Sequence, residues 1–407
     1  MKYHLFEVFG IELEYMLVNA KTGKIQASVD ELMKLKSGKI VSGVDNGPIE
    51  WSNELAAHVV ELKTNGPTKD LNSLDQKFHE NINEINDLLK TKNLRLWPTA
   101  AHPLMNPDLE MKLWQHSYSE VYALYNRIFD CRGHGWSNVQ SIHINLPFYD
   151  DTEFEKLHAA IRILLPILPA LSASSPILDG KFGACMDSRM KLYLTNQKQI
   201  PEMTGKVIPE QVFSYEDYKT KIFDPINTAI APFDKDQILE HHFLNSRGAI
   251  ARFDRNAIEI RVLDLQECAL ADVAIASFIV EVLKELVNEI YSKLKDQKAW
   301  HEDVLFEILN QSIEDAEEVV IHNKVYLKLF GIEAESMAVK DIFKHLFENV
   351  SSRLSDRHAE AIGLILEHGS LSTRILKAIN NDFSEANILN VYQKLGDSLS
   401  KNELFLP

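Results

Sequence analysis

One nine-residue stretch of the chain alternates strictly between apolar and polar side chains, Asn256-Ala-Ile-Glu-Ile-Arg-Val-Leu-Asp264. Alternating side chains point to opposite faces of a β-strand, so this pattern predicts a strand. Two isoleucines and a valine share one face, and Glu259 and Arg261 share the other. A carboxylate and a guanidinium that leave a sheet on the same side have little place in a hydrophobic core. We therefore interpret them as part of a functional site.

Length and composition are those of a large, acidic globular protein. The chain has 407 residues, of which 45% are hydrophobic and 25% are charged, and its formal net charge is −16. This length is enough for a substantial core in one domain or in two. The negative charge argues against nucleic acid as a partner, because lysine and arginine on phosphates dominate that kind of binding.

Two further features of the sequence bear on its location. No apolar stretch approaches the roughly 18 residues that a membrane span needs, and glutamates interrupt the first part of the chain. The three cysteines, Cys131, Cys185 and Cys268, lie far apart and form no CxxC pair. This usage is typical of free thiols in a reducing compartment. We therefore predict a cytoplasmic protein with no membrane partner.

A first strand is predicted over residues 3–18, and its polar face carries Glu12 and Glu14. Side chains two residues apart leave a strand on the same side. Without a cation between them the two carboxylates would repel each other, and the pKa of one would rise. From this motif alone, the solvated outer face of an edge strand is the more favoured interpretation.

Glu54 and Glu61 form a second pair of acidic residues, beside a strand predicted over residues 59–62. Their separation of seven residues would put them on opposite faces of one regular strand. They can share a site only if the backbone bends or changes element between them. Taken alone, this segment favours a structural role.

A histidine lies at the centre of a third alternating stretch, residues 138–147. Ser141, His143 and Asn145 share its polar face, opposite two isoleucines and a leucine. A neutral histidine in such a position is a candidate metal ligand or hydrogen-bond donor. The pattern supports a functional histidine and a purely structural one about equally.

Arginines supply candidate binding groups for anions. Arg189 follows a loop of small residues, and its planar fork is suited to a carboxylate or a phosphate, although a surface arginine after a turn has the same pattern. Arg252 belongs to a group of three arginines within residues 247–255. This group makes a locally positive segment in a protein whose net charge is negative. No GxxxxGK[ST] or GxGxxG phosphate loop occurs in the chain.

The remaining patterns predict mostly helices. Apolar residues that recur at steps of three and four are typical of amphipathic helices, whereas proline and glycine clusters indicate loops. By these patterns we predict a hairpin or loop excursion over residues 19–50, helices over 70–92, 110–130, 152–170 and 270–296, a strand over 94–97, an irregular segment over 198–238, and further helices to about residue 402.

Five motifs follow one another along the chain: Gly-Ile-Glu12-Leu-Glu14, Glu54 with Val-Glu61-Leu, Gln140-Ser-Ile-His143-Ile-Asn145, Leu171-Ser-Ala-Ser-Ser-Pro176 and Ile258-Glu259-Ile-Arg261-Val-Leu-Asp264. In this order they resemble the glutamate–cysteine ligase type 2 family of carboxylate–amine ligases, which belongs to the glutamine synthetase-like superfamily. The resemblance covers about residues 5–295. The helical region beyond about residue 300 resembles no family that we can name.

The resemblance implies an α+β fold. We expect a curved, largely antiparallel sheet that forms an open half-barrel around the active site and is backed by helices. The catalytic domain is expected over residues 1–298, with residues 198–238 as an irregular insertion or lid. Residues 299–407 form a helical C-terminal region, which we expect to cover the back of the sheet or to make a contact in a homo-oligomer.

The resemblance also implies roles for individual residues. The expected catalytic residues are Glu259 and Arg261, of which Arg261 contacts the transferring phosphate. The expected metal ligands are Glu12, Glu14, Glu54, Glu61, His143 and Glu259. The expected substrate- or phosphate-binding residues are Arg189, Arg252, Asn145 and Gln140.

Such a ligand set suits Mg²⁺ or Mn²⁺, which prefer hard oxygen ligands. Several carboxylates that face one cavity need more than one divalent ion to neutralise them, and ATP phosphates complete the shells of these ions. The implied reaction joins a glutamate-like acid to an amine through an acyl phosphate and forms a γ-glutamyl-type amide. The amine is left open, because the chain departs from the family pattern at His102-Pro-Leu.

Two other functions remain as alternatives. The first is a catalytically silent relative that binds a nucleotide or an amino acid and acts through partners. The second is a metal-dependent phosphohydrolase that uses the same carboxylates.

Overall fold

An open antiparallel sheet lies at the centre of the computed structural model, which describes residues 2–239 and 244–407. Its strands follow the order β2-β3-β4-β1-β6-β10-β9, with β5 also paired to β1. The strands are β1 (Gly10–Asn19), β2 (Gly43–Asn46), β3 (Ile49–Asn53), β4 (Val59–Thr64), β5 (Leu94–Trp97), β6 (Ser141–Pro147), β7 (Ile177–Leu178), β8 (Lys181–Phe182), β9 (Ala249–Arg252), β10 (Ala257–Asp264), β11 (Val320–Ile321) and β12 (Met337–Ala338).

Helices surround this sheet and make up the rest of the mixed α+β fold, as predicted. They are α1 (Val29–Ser37), α2 (Leu74–Lys90), α3 (Pro107–Glu110), α4 (Ser119–Phe129), α5 (His134–Ser137), α6 (Asp151–Leu164), α7 (Leu168–Ser172), α8 (Ser188–Tyr193), α9 (Tyr215–Tyr218), α10 (Asp224–Ile230), α11 (Ala269–Val287), α12 (Leu294–Lys298), α13 (Glu302–Asp315), α14 (Lys324–Lys328), α15 (Val339–Val350), α16 (Asp356–His368), α17 (Leu371–Ile379) and α18 (Glu385–Lys401).

The core lies on one face of the sheet. In β1 the apolar side chains of Ile11, Leu13 and Tyr15 are fully buried, and they belong to one large cluster with the buried face of α2. The strand is shorter than predicted at its start, because the regular pairing begins at Gly10. The alternation of β1 therefore separates an apolar face, turned to the helices, from a polar face.

The helix α11 is not amphipathic, so the prediction for residues 270–296 is wrong in this respect. Nearly all of its side chains are buried, including those of Asp272 and Glu281. A helix that is hydrophobic all round is typical of the middle of a large core, and α11 contacts β1, α2, α6 and α16. It ends at Val287, nine residues before the predicted end.

Three other boundaries differ from the predictions. Residues 19–50, predicted as a hairpin or loop excursion, contain α1 as well as most of the β2–β3 hairpin, and the helix expected over 110–130 begins at Ser119. The helix over 152–170 is divided into α6, a 3₁₀ turn and α7, because prolines occupy positions 166 and 169. Residues 198–238, predicted as irregular, contain a 3₁₀ turn over Pro201–Met203 and an uninterrupted helical run over 215–230 with a π-helical middle at Lys219–Phe223, so the segment is more helical than predicted.

The C-terminal region is helical, as predicted, and it packs against elements from the first half of the chain. Arg95 of β5 pairs with Asp397 of α18, with 3.1 Å between Nη1 and Oδ1. The Nδ2 of Asn402 donates to Asp75 of α2 at 3.2 Å. The proposed division of the chain at residue 298 stays a prediction, and these contacts join its two sides.

Two smaller sequence predictions concern thiols and membrane spans. Cys131, Cys185 and Cys268 are buried free thiols, as predicted. Within residues 2–239 and 244–407, the helices all fall short of the length and apolar character that crossing a bilayer requires.

A buried ion pair holds the C-terminal helices in place, and it gives a prediction about stability. Arg374 of α17 binds Glu267 and also donates to the carbonyl oxygen of Phe405 at 2.8 Å. Both charged side chains are almost fully buried. We expect Arg374→Met to lower the free energy of unfolding by about 3–5 kcal/mol, because Glu267 is left as an unpaired buried charge. The exposed Lys377 lies on the same helix, so Lys377→Met is the control.

Urea unfolding followed by circular dichroism measures both free energies. Equal, small losses in the two variants would contradict the importance of the Arg374–Glu267 pair.

Candidate active site

A cavity of about 1110 Å³ lies over the polar face of the sheet. Its floor is made by alternate side chains of the central strands, and its walls come from helices α4, α5 and α8. The predicted site residues that line it are Glu12, Glu14, Glu54, Glu61, His143, Asn145, Arg189, Arg252, Glu259 and Arg261.

Strand register explains why residues distant in sequence meet here. Glu12 of β1 lies opposite His143 of β6, and Glu14 lies opposite Glu61 of β4. Glu259 of β10 lies opposite Asn145. Directly opposed residues in an antiparallel pair share a face. The four strands therefore direct these side chains into the same cavity.

Seven residues separate Glu54 from Glu61, which would put them on opposite faces of a single strand. The structure removes this conflict, because the two residues belong to different elements. The strand β3 ends at Asn53, one residue before Glu54, and β4 begins at Val59. The two strands pair antiparallel, with Ser52 opposite Glu61. Glu54 thus lies in the connection between β3 and β4 and reaches the cavity from there.

A β-bulge interrupts the alternation of β10, which the sequence pattern predicted to be strict. Ile260 pairs with Ile144, but the next registered pair joins Leu263 to Ile142. Two residues of β10 therefore lie against one residue of β6. A bulge of this kind re-aims the side chains that follow it. As a result Asp264, which strict alternation would send to the core, lies opposite Ser141 on the cavity side.

Glu12, His143 and Glu259 form the tightest group of candidate ligands, which we call the metal cluster. One ligand atom from each lies within 4.8 Å of the other two, and the described residues contain no other group of three such atoms. The Nδ1 of His143 lies 2.9 Å from Oε2 of Glu12 and 3.9 Å from Oε1 of Glu259. Asn145 donates through Nδ2 to Oε1 of Glu12 at 3.0 Å.

Charges within the metal cluster oppose the effect of burial. Burial raises the pKa of Glu12 most strongly, but the hydrogen bond to His143 and the charges of His143 and Lys63 together hold that pKa below its usual value. Burial also raises the pKa of Glu259, but the charge of Arg261, with those of His143 and Arg252, leaves that pKa below its usual value. Burial lowers the pKa of His143, yet its bond to Glu12 and the charge of Glu14 leave it raised. Both carboxylates are therefore ionised at neutral pH.

Two arginines flank Glu259. The Nη2 and Nε atoms of Arg261 lie 2.5 and 3.1 Å from Oε1 of Glu259. Arg252 approaches the other oxygen, with 3.7 Å between Nη1 and Oε2, and it also binds Asp254. The side chain of Arg261 is 23% exposed to the cavity, so part of its guanidinium is accessible to a ligand.

Glu14, Glu54 and Glu61 form a second group on the cavity wall, which we call the acidic patch. The backbone N and Oγ of Ser141 donate to Oε2 of Glu14 at 2.7 and 2.8 Å. The pKa of Glu54 is raised well above its usual value by burial and then by the charges of Glu61 and Glu14. Metal binding by these three glutamates stays a prediction.

Two predicted residues are placed differently from the rest. Arg189 is buried, and its Nε donates to Oδ1 of Asp264 at 2.6 Å while Nη2 donates to the carbonyl of Arg261 at 3.2 Å. Its fork thus holds the bulged end of β10, and ligand binding by Arg189 stays a prediction. Gln140 lies outside the cavity lining and is fully buried. It directly precedes Ser141, the first residue of β6, whose side chain does line the cavity.

Sequence reasoning missed Lys63, which lies two residues after Glu61 on the same face of β4. Its Nζ is 2.7 Å from Oε2 of Glu61. The spacing was visible in the sequence, because residues two apart on a strand share a face. Aromatic side chains of the cavity wall were also missed, and they come from helices α4, α5 and α8 and from the residue before α4, whose positions only the tertiary structure decides. They are Tyr118, Tyr122, Tyr125, Trp136 and Tyr193.

Solved structures with a similar fold include those of ligases. The crystal structure of glutamate–cysteine ligase from Francisella tularensis in complex with AMP has a TM-score of 0.59 at 15% identity, and the match covers 97% of this chain and 89% of that chain. A bifunctional glutathione synthetase from Pasteurella multocida has a TM-score of 0.56 at 14% identity, with 98% of this chain and 52% of that chain covered. At such identities the likeness shows the fold alone.

Similar sequences extend over almost the whole chain. An uncharacterized protein from Archaeoglobus fulgidus is 30% identical over 402 residues, covering 98% of this chain and 100% of its own. The putative glutamate–cysteine ligase 2 of Corynebacterium glutamicum is 22% identical over 357 residues, covering 85% of this chain and 80% of its own. The family model of glutamate-cysteine ligase family 2 matches residues 8–394. The match therefore continues through the helical region, where the sequence motifs indicated no relative. The chain belongs to glutamate-cysteine ligase family 2.

Proposed function

We propose that this protein is an ATP-dependent carboxylate–amine ligase. It would join the carboxyl group of glutamate or a glutamate-like acid to an amine and form a γ-glutamyl-type amide. The observation that carries the proposal is the convergence of the metal cluster with Arg252 and Arg261 on the floor of one cavity. Family membership supports the class of reaction.

The metal cluster fits a divalent ion of the Mg²⁺ or Mn²⁺ type. It offers two carboxylates whose pKa values are lowered, and one imidazole, with their ligand atoms close together. Oxygen-rich donor sets suit these hard ions. A divalent ion held there would neutralise charge on the phosphates of ATP.

Arg261 is the residue best placed to act on the transferring phosphoryl group. Its guanidinium lies between Glu259 and the open cavity. Donors aimed at the place where negative charge develops stabilise the transition state of phosphoryl transfer. Glu259 holds Arg261 in that position in the absence of ligand, and Arg252 adds a second positive charge from the neighbouring strand.

The proposed reaction has two steps. A carboxylate oxygen of the acid attacks the γ-phosphorus of ATP, the bond to the β-phosphate oxygen breaks, and ADP leaves. The amine nitrogen then attacks the carbonyl carbon of the acyl phosphate, inorganic phosphate leaves with the C–O electron pair, and the nitrogen loses a proton. Arg252 and Arg261 would bind the phosphate oxygens in both steps.

Water must be kept from the acyl phosphate, because hydrolysis would waste it. The walls of the cavity carry the aromatic side chains of Tyr122, Tyr125 and Trp136. Residues 198–238 remain our candidate for a lid. The lining residues that flank this segment in the described part of the chain are Gln197 on one side and Asn245 on the other.

An activity assay tests the proposal directly. The protein is incubated with Mg-ATP and panels of acids and amines, ADP is followed by a coupled assay, and products are identified by mass. We expect ADP release that depends on both an acid and an amine. Tight nucleotide binding without ADP would indicate the catalytically silent alternative, and ATP hydrolysis unaffected by any amine would indicate a phosphohydrolase.

Two substitutions test the catalytic residues. Glu259→Gln and Arg261→Ala should each lower the rate of amide formation by roughly 100- to 1,000-fold, because each weakens the stabilisation of charge in the transition state. Arg132 is 61% exposed, pairs with nearby Asp130 and lies outside the lining of the cavity, so Arg132→Ala is the matched control. Circular dichroism checks the fold, and near-wild-type turnover in either variant would mean that the site is misplaced.

A third substitution tests the metal cluster without an activity measurement. Asn145 orients Glu12 through its bond to Oε1. Partners that orient a metal ligand typically contribute about 10- to 100-fold in affinity, so Asn145→Ala should weaken Mn²⁺ binding by that factor. Calorimetry with Mn²⁺ measures the change, and the exposed Asn72 provides the control Asn72→Ala. Unchanged affinity in Asn145→Ala would place the ion elsewhere.

A further inference from the structure

We propose that the ammonium group of Lys63 is a built-in counter-ion for the acidic patch, so that the protein without nucleotide binds one divalent ion tightly. The proposal rests on the proposed function, since it takes the metal cluster as the place of that ion. It replaces the expectation that the carboxylates of the cavity require more than one ion. It also gives a role to a side chain that sequence reasoning missed.

The register of β4 directs Lys63 into the cavity. Lys63 lies opposite Glu12 of β1 on one side and opposite Glu50 of β3 on the other. Opposed residues share a face, so the lysine stem leaves the sheet beside the metal cluster. Its side chain is 30% exposed, whereas that of Glu61 is only 8% exposed.

Lys63 occupies one carboxylate oxygen of the acidic patch, Oε2 of Glu61. Its Nζ lies 2.7 Å from Oε2 of Glu61 and donates to Oγ of Ser52 at 3.0 Å. Ser52 in turn donates to the same Oε2 at 2.7 Å. One oxygen of Glu61 therefore already accepts two protein donors. A divalent ion at this oxygen would have to displace the ammonium group or be repelled by it.

Glu14 is occupied in a similar way from the other side of the patch. Ser141 donates to its Oε2 through both the backbone N and Oγ. By contrast, the ligand atoms of the metal cluster converge, and in residues 2–239 and 244–407 they are the only three that do so within 4.8 Å. While Lys63 holds Glu61, a second ion must bring further ligands with it, and the phosphate oxygens of a nucleotide are the kind that it would need.

The stoichiometry of Mn²⁺ binding to the full chain, without nucleotide, tests the proposal. Calorimetry and equilibrium dialysis should give one tightly bound Mn²⁺ per wild-type chain. Lys63→Met keeps an unbranched side chain only one atom shorter and removes its charge, so it should bind two. Lys63→Arg keeps the charge and should bind one. Lys69 is exposed in the loop after the same strand, and Lys69→Met is the control, again with one ion.

Thermal unfolding first checks that each variant is folded, and Lys63→Gln serves as a second neutral replacement. Two tightly bound ions in the wild-type protein, or one in a folded neutral variant, would overturn the role of Lys63. The activity assay separates this outcome from failure of the proposed function. Amide formation together with two bound ions contradicts only the counter-ion role, whereas absence of any Mn²⁺ binding contradicts the metal cluster and this proposal together.

Discussion

Electrostatic repulsion between carboxylates is the constraint on which this structure depends. Antiparallel pairing places Glu14 directly opposite Glu61 and brings Glu12 close to Glu259 on one face of the sheet. Like charges in such positions destabilise a sheet. The protein offsets them with the hydrogen bond between the His143 ring and Glu12, and with arginines and a lysine on the neighbouring strands. The result is a strongly charged surface that a divalent ion and a polyphosphate can complete.

The opposite face of the sheet provides the rigidity that such a surface requires. The helix α11 is buried on nearly all sides and packs across the back of β1. Side chains in a close-packed interior adopt few alternative positions. The carboxylates are therefore held at short distances by the core behind them, although they would separate if the strands were free. A site of this kind is preorganised, and little energy is needed to arrange it when a ligand binds.

The path of β10 shows how local irregularity serves the site. The bulge after Ile260 brings Asp264 to the cavity side, where it binds the buried Arg189. Arg189 also donates to the backbone carbonyl of Arg261. One buried ion pair thus supports the strand segment whose guanidinium faces the cavity. We interpret Arg189 as a group that positions Arg261, a role that differs from direct anion binding and that only the tertiary contacts indicate.

The sequence by itself determined which side chains share a face of each strand. A period of two residues is enough to group Glu12 with Glu14 and Glu259 with Arg261, because successive side chains alternate. It also determined the α+β class, the helical C-terminal region and the free thiols. The order of the motifs was sufficient to indicate the family. Each of these properties depends on residues that are neighbours in the chain, or on the order of such groups.

The tertiary structure alone decided which strands pair and in which register. That choice let Glu54 and Glu61 reach the same cavity, left Gln140 outside it and placed Lys63 against Glu61. It also decided that α11 is buried on nearly all sides, since burial depends on what packs around a helix. The physical reason is common to these cases. Pairing, bulges and burial follow from contacts between distant segments, and the local alternation of side chains carries no information about them.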